Sequence, residues 1–260
     1  MTRFIKKRRW AAKTLLLFFG ITFIAPVLVT LALSFSFERR FPVLGQYGEL
    51  LITNNAFLRF FWNSVFYSLC IMLACIIIAF PLGFVFAKVK FPGGNALFFV
   101  YIIAMMLPFQ ATLLPNYIQL RDFRMLNTPL ALILPLALSP FAVFLLRQFI
   151  KGIPAELLDC ATLDTSSATK ILWHVVLPQV RAATGALAVM VFCESWNMVE
   201  PALIFAAKNP DIHPLSVRLG DLPPQVSFSA AVVYMAPILF LFLMFKESLA
   251  ASMEHFRWGK

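Results

Sequence analysis

The chain has 260 residues, of which 61% are hydrophobic and only 13% are charged, and its formal net charge is +10. Soluble globular domains carry about 25% charged residues, so this composition excludes an ordinary soluble globule and indicates a protein surrounded by lipid. The positive charge does not indicate nucleic acid binding, because the basic residues are spread over alternate loops rather than gathered on one segment.

Apolar segments recur along the chain, each close to the length needed to cross the about 30 Å of hydrocarbon in a bilayer. The first follows a basic N-terminus, and we interpret it as an uncleaved span because its apolar run is too long for a signal peptide. Prolines in the third and fourth segments predict kinks. The six predicted spans, within one domain over residues 1–260, are 14–37, 64–87, 96–118, 129–149, 183–206 and 229–246.

The distribution of basic residues predicts how these spans are oriented. Of the 22 Lys and Arg residues, 15 fall on the N-terminus, the C-terminal tail and the two loops on the same side, and 7 fall on the other loops. Cytoplasmic loops of membrane proteins carry the excess of Lys and Arg. We therefore expect both termini in the cytoplasm, together with the long loop over residues 150–180.

That long loop is a polar, helix-forming segment in an otherwise apolar chain. Pro154 and Glu156 suit the first turn of a helix, and Leu157, Leu158 and Ala161 share one face at helical spacing. The stretch 164–167 supplies turn and N-cap residues, and a second helix is predicted from 168 until Pro178 ends it. A short amphipathic helix can lie on lipid headgroups or dock in a protein groove. Its acidic flanks favour the groove.

The residues of this loop resemble the cytoplasmic "EAA" loop of binding-protein-dependent ABC importer permeases. Val176-Leu177-Pro178 matches the end of that motif, Asp159-Cys160-Ala161 its acid-Ala-Ala element, and Asp164-Thr165 its Asp-Gly pair. Thr165 departs from the family's glycine, and Asp159 and Cys160 replace its Glu and first Ala. Further matches are Phe61-Trp62-Asn63-Ser64, Met106-Leu107-Pro108, Leu114-Pro115, Leu145-Leu146-Arg147-Gln148-Phe149, Trp196-Asn197 and Pro201 with Leu203.

Taken over the chain, the resemblance is to the carbohydrate-importer branch and its six-span second permease of the maltose type. It implies an all-α, MetI-like type I importer fold in a bacterial or archaeal inner membrane, and transport of a sugar or oligosaccharide. The implied partners are a second permease, two ATP-binding subunits that use ATP and Mg, and an extracytoplasmic solute-binding protein. The residues implied in coupling to the ATPases are Pro154, Glu156, Leu157, Leu158, Asp159, Cys160, Ala161, Asp164 and Thr165.

Polar residues inside predicted spans are candidates for the solute pathway. Glu194 lies near the middle of the predicted fifth span, where an ionised group is costly and usually faces the bundle interior. It could accept hydrogen bonds from sugar hydroxyls, or bond to a partner subunit or face water. Trp196 and Asn197 could line the pathway or pack between helices, and the same choice holds for Gln110 and Asn116.

Catalysis by this chain is not expected. It has no G-x-x-x-x-G-K-[ST] sequence for ATP and no H-E-x-x-H sequence for zinc, and its four cysteines form no C-x-x-C pair. We therefore expect no cofactor, no metal site and no catalytic residue. The alternatives are the same fold importing another solute, such as a glycerol phosphate, and, more distantly, a membrane-embedded enzyme. The loop 207–228 is expected to face outward, and residues 256–260 to anchor at the membrane surface.

Overall fold

The computed structural model describes the backbone of residues 2–35 and 44–258, with side chains for 13–35 and 44–246. Over these residues the chain forms helices and turns without a β-strand, which confirms the all-α class. The α-helices are α1 Thr2–Ser34, α2 Gly45–Gly48, α3 Asn55–Lys88, α4 Gly94–Met105, α5 Phe109–Asp122, α6 Pro129–Ala137, α7 Pro140–Lys151, α8 Ala155–Asp164, α9 Ala168–Ile171, α10 Leu177–Gln179, α11 Arg181–Trp196, α12 Glu200–Phe205, α13 Leu215–Arg218 and α14 Ser227–Trp258.

In the part of the chain that the structure describes, four helical stretches are long and apolar enough to cross a membrane: Lys13–Ser34, Asn55–Lys88, Pro129–Lys151 and Ser227–Lys246. The number rises to six if each of two sharply bent helix pairs counts as one crossing. The second stretch begins nine residues before the predicted start at 64, because Asn54 caps α3 by accepting a hydrogen bond from the Phe57 amide at 3.1 Å. Residues 36 and 37 of the predicted first span lie outside the described residues.

The third predicted span, 96–118, is sharply bent rather than gently kinked. Helices α4 and α5 meet at 102°, and Pro108 stands at the break with an extended backbone of φ −64° and ψ 144°. A residue that precedes proline is disfavoured in helical conformation, so the helix stops before Leu107. Pro115, by contrast, lies inside α5.

The predicted fifth span, 183–206, is not one helix. Helix α11 begins at Arg181, after a bend of 85° from the stretch Ala168–Gln179, and it ends at Trp196. A separate short helix, α12, follows with Pro201 in its first turn. Pro201 has no backbone N–H to bond the carbonyl of Asn197, so a continuous helix through this point would lose a hydrogen bond.

Two compact units make up the chain. One comprises residues 1–58 and 219–237, and the other comprises residues 59–218 and 238–260. In the first unit, the Gln46 side chain donates to the carbonyl of Leu33 at 2.9 Å, and the Tyr47 hydroxyl donates to Ser34 Oγ at 2.8 Å. In the second unit, one apolar core joins α3, α5, α6, α7, α11 and α12. The single-domain organisation stays a prediction.

Candidate functional site

The predicted coupling helix is present as α8, a ten-residue helix. Pro154 occupies the N-cap position with φ −57° and ψ 141°, one residue before the helix rather than inside its first turn. Glu156 lies in the first turn, where its negative charge complements the partial positive charge of the helix N-terminus. No residue of α8 is fully buried, so the helix presents most of its surface to solvent or to a partner.

The apolar residues of α8 divide between two faces. Leu158 and Ala161 are half-buried and pack against the core of this chain. Leu157 is 37% exposed and Leu163 is 87% exposed. The three residues predicted to share one face, Leu157, Leu158 and Ala161, therefore differ in environment. Leu158 and Ala161 pack against the core, and Leu157 lies at the edge of that contact.

The outward face of α8 includes a residue that was not selected from the sequence. Leu163 lies three residues beyond the exposed Cys160, on the helical face that also carries Glu156 and Asp159. An apolar side chain so exposed at the end of a polar helix is a suitable anchor for a protein groove. Leu163 could have been selected from the sequence, because its position three residues after Cys160 and four after Asp159 places it on the same helical face.

The turn after α8 places no residue in a left-handed conformation. Thr165 is extended, with φ −155° and ψ 138°, and its hydroxyl accepts a hydrogen bond from the Ser167 amide at 3.2 Å. Ser167 then caps the next helix by accepting from the Lys170 amide at 3.4 Å, as predicted. Threonine is unstrained here because the backbone does not need the positive φ that glycine permits.

Replacing Thr165 by glycine, the residue usual in the EAA motif, is expected to bring no gain. The substitution removes the hydroxyl acceptor of the turn and increases the conformational freedom of the unfolded chain, a cost of about 0.4–1 kcal/mol. Thermal unfolding of the purified protein in detergent, compared with Thr165→Ser, measures this. A more stable glycine variant would contradict the extended turn.

The second helix of the loop continues past its predicted end. The stretch Ala168–Gln179 is helical throughout, with a π-helical segment over Leu172–Val176. Pro178 therefore lies inside the last turn and does not close the helix. The chain turns at Val180, which has φ −107° and ψ 16°, and continues as α11.

The start of the loop is hydrogen-bonded to the last turns of α3. The Lys88 ammonium donates to the carbonyls of Lys151 and Ile153. One turn earlier, Arg147 Nε donates to the carbonyl of Phe86 at 3.0 Å, and its guanidinium lies 3.8 Å from the centroid of the Phe98 ring. These contacts fix the backbone from which α8 departs.

A close approach of two helices accompanies these hydrogen bonds. A Cβ added to Gly83 on α3 would lie 3.2 Å from the Leu146 Cβ and 3.2 Å from the Arg147 amide nitrogen on α7. Small residues let helices in membranes pack at short distance. Helices α3 and α7 are thus closely packed just before the point where the loop begins.

Two predicted pathway residues, Asn116 and Glu194, lie on one cavity of about 420 Å³. This volume is within the range of about 300–1,000 Å³ of small-molecule pockets. Other polar groups on its wall, which were not selected from the sequence, are Thr112, Ser139 and Ser195.

Both helix breaks that border this cavity follow from proline. Leu107 lies between α4 and α5, and Phe109 begins α5. Leu138 and Ser139 lie between α6 and α7, and Pro140 begins α7. Irregular backbone at membrane depth is tolerated where it lines a cavity. The prolines were the signal by which the cavity wall could have been located in the sequence.

Glu194 lies in the last turn of α11 rather than at the middle of a long span. Its side chain is exposed, and it belongs to the cavity wall. The expectation that it faces the bundle interior stays a prediction. Whether the solute touches it stays a prediction.

The other predicted pathway residues do not reach the cavity wall. Trp196 is fully buried, with its ring stacked on Phe192 at 5.6 Å and edge-on to Phe61 at 5.9 Å, so its place matches the packing alternative. Asn197 donates from Nδ2 to the carbonyl of Cys193 at 2.7 Å. Gln110 donates from Nε2 to Glu200 Oε2 at 3.3 Å.

The other end of α3 holds a second loop. Asn63 Nδ2 donates to the carbonyls of Asp211 and His213 at 2.9 and 3.1 Å, and the Tyr67 hydroxyl donates to the carbonyl of Ile212 at 2.9 Å. Arg59 forms an exposed ion pair with Asp211 at 2.6 Å. The segment 211–213 of the predicted outward loop is thus fixed to the first turns of this helix.

Within the described part of the chain, no group of three or more His, Cys, Asp or Glu residues is arranged to hold a metal ion. Its four cysteines are unpaired, with Cys75 buried and Cys160 exposed. The predicted membrane anchor at 256–260 falls outside the residues whose side chains are described.

Comparison with known proteins gives one family match. Residues 79–255 match the model of the "Binding-protein-dependent transport system inner membrane component" family. The chain is 29% identical to the arabinooligosaccharides transport system permease protein AraQ of Halalkalibacterium halodurans, over 74% of this chain and 71% of that one. It is 26% identical to the diacetylchitobiose uptake system permease protein NgcG of Streptomyces coelicolor, over 75% and 68%.

Two further likenesses bear on cargo and fold. The sn-glycerol-3-phosphate transport system permease protein UgpE of Brucella abortus is 34% identical over 54% of this chain and 49% of that one. The crystal structure of a bacterial ABC transporter involved in the import of the acidic polysaccharide alginate contains a chain that superposes with a TM-score of 0.82. That match covers 92% of this chain and 95% of the other at 18% identity, so it supports the fold.

Proposed function

The chain belongs to the family of binding-protein-dependent transport system inner membrane components, and from this premise we propose that it passes a sugar or oligosaccharide across the membrane and that α8 couples this passage to ATP hydrolysis. The protein is a membrane permease subunit of an ABC importer and is not itself catalytic. Its membrane location and all-α permease fold are confirmed by the family match and the structural likeness.

The exposed α8 is the observation that carries the coupling proposal. Its inner face, Leu158 and Ala161, is seated on the core of the chain, and its outer face carries Leu163 beside Glu156, Asp159 and Cys160. A helix that is packed against the core of its own chain can transmit a displacement imposed on its outer face. An exposed leucine with acidic neighbours is complementary to a groove with an apolar floor and a basic rim.

ATP would be hydrolysed outside this chain, which has no phosphate-binding P-loop sequence. We place two ATP-binding subunits, which use ATP and Mg, on the side of α8. A second permease completes the pathway, and a solute-binding protein delivers the cargo at the opposite surface. Closure of the ATPases moves α8, and the helices then switch between two packed arrangements, since packed cores are bistable rather than elastic.

Cross-linking at Cys160 tests the proposed docking surface. This thiol is exposed on the outer face of α8, so a maleimide that carries a photoactivated benzophenone, applied to membranes containing the assembled importer, is expected to join it to an ATP-binding subunit. Cys160→Ser is the matched control and removes the adduct. Capture of phospholipid alone, with no soluble subunit in the adduct, would contradict the proposal.

A second candidate cargo is a phosphate-bearing solute such as a glycerol phosphate. The 34% identity to UgpE over about half of each chain favours it. The matches to AraQ and NgcG extend over more of the chain, and they favour an oligosaccharide.

A further inference from the structure

The cavity beneath the two helix breaks carries a single charge. Among the described residues that line it, Glu194 is the one ionisable side chain. Four residues with uncharged polar side chains accompany it, namely Thr112, Ser139, Ser195 and Asn116. The hydroxyls of Thr112 and Ser195 donate to backbone carbonyls of their own helices. The remaining wall is apolar, with aromatic, aliphatic and proline side chains from several helices.

The Glu194 carboxylate is not neutralised by the described part of this chain. No Lys, Arg or His lies on the cavity wall, and neither an ion pair nor a hydrogen bond to Glu194 occurs among the described residues. A lone charge between low-dielectric walls acts over a longer distance than one in open water. Among the described residues of the wall, the single charge is therefore the negative one of Glu194.

We propose that Glu194 sets the charge selectivity of this cavity, which admits neutral polyhydroxylated or cationic solutes and excludes anionic ones. The part of this proposal that concerns the cargo rests on the proposed transport function. The part that concerns the electrostatic field in the cavity does not depend on that function. The carboxylate accepts hydrogen bonds from neighbouring hydroxyls of a sugar, and the Asn116 amide both donates and accepts. A phosphate or carboxylate group of a solute would instead meet a like charge, with no cation on the described wall to compensate it.

The test measures the field in the cavity with two thiol reagents of similar size and opposite charge. In the assembled importer, with Cys70, Cys75, Cys160 and Cys193 replaced by serine or alanine, Asn116→Cys places a thiol on the cavity wall. Its reaction rates with a trimethylammonium and a sulfonate methanethiosulfonate are compared. One-signed charge in a cleft changes such rates by about tenfold or more, so Glu194→Gln is expected to lower the cation-to-anion rate ratio about tenfold.

Controls separate the effect of charge from the effect of altered folding. Glu194→Asp keeps the charge and should keep the ratio, and a thiol at the exposed Ser166, outside the cavity, should give a ratio that Glu194→Gln leaves unchanged. Thr112→Cys serves as a second reporter on the same wall if Asn116→Cys fails to assemble.

Two results would overturn the proposal. One is an unchanged ratio in Glu194→Gln, as would follow if a cation of the second permease neutralised the carboxylate. The other is failure of both reagents to react at Asn116→Cys and at Thr112→Cys. Neither measurement requires transport, so a negative result here remains distinct from a failed cross-link at Cys160, which would count against the coupling function.

Discussion

Leu163→Lys is expected to abolish ATP-dependent uptake and the stimulation of ATP hydrolysis in the assembled importer. The side chain is 87% exposed at the end of α8, so the substitution disturbs no packing within this chain. In the proposed docked state it places an ammonium group in an apolar pocket. Loss of such an anchor costs about 2 kcal/mol or more, which corresponds to at least about a thirtyfold loss of affinity. Uptake by vesicles and co-purification of the ATP-binding subunits measure the loss.

The control for this experiment is at the same position. Leu163→Met keeps an apolar side chain of similar volume and should retain uptake, since swaps of this kind usually cost little. Leu157→Lys, at the edge of the contact between α8 and the core, should give a smaller loss of uptake. Wild-type uptake in both lysine variants would contradict docking through α8.

Ala161→Glu distinguishes the packing of α8 against its own chain from the docking of α8 on a partner subunit. Ala161 is half-buried against the core, so this substitution forces a carboxylate under the helix and should lower the stability of the isolated chain as well as uptake. Leu163→Lys should lower uptake alone. The sequence predicted one common face for Leu157, Leu158 and Ala161, and the packing of Leu158 and Ala161 against the core separates these two residues from Leu157.

Trp196→Ala is expected to reduce the free energy of unfolding by about 3–5 kcal/mol, the range for removal of a large buried aromatic side chain. Trp196 has no exposed surface, and its ring contacts both Phe192 and Phe61. The alanine variant leaves a void where the end of α11 packs on α3. The transition temperature of the detergent-solubilised protein, followed by size-exclusion chromatography after heating, measures the loss.

Trp196→Phe is the matched control because it keeps an aromatic ring in the stack and should lose less stability than the alanine variant. If Trp196 were a platform for the solute, the alanine variant would lose uptake while keeping its transition temperature. A stable but inactive alanine variant would therefore contradict the packing role.

Composition and periodicity locate the apolar segments in chain order but not their geometry, and the structure has, over its described residues, four candidate spans, or six if each bent pair counts as one. Apolar runs of about 20 residues locate crossings, yet Pro108 and Pro115 look alike in sequence. The first breaks the third span by 102° and the second lies within a helix. Which proline bends the chain depends on whether neighbouring helices satisfy the released carbonyls, and that is a tertiary property.

The candidate sites show the same limit. The loop helix, its Ser167 cap and its charged face follow from local rules. The cavity does not, because Asn116 and Glu194 are 78 positions apart and meet only through the folding of α5 and α11. Trp196 and Glu194 are two residues apart on one helix, and the sequence could not tell which faces the core and which faces open space.

Helix α3 is hydrogen-bonded to two loops. Its C-terminal end contacts the start of the loop that carries α8, and its N-terminal part contacts the predicted outward loop. Its last turn holds the carbonyls of Lys151 and Ile153, where the loop that carries α8 starts, and its first turns hold the carbonyls of residues 211–213. With 34 residues at about 1.5 Å each, it is about 50 Å long, which exceeds the about 30 Å hydrocarbon core of a bilayer. Under the proposed coupling, a displacement of the loop that carries α8 is expected to be transmitted along this one helix to the segment 211–213.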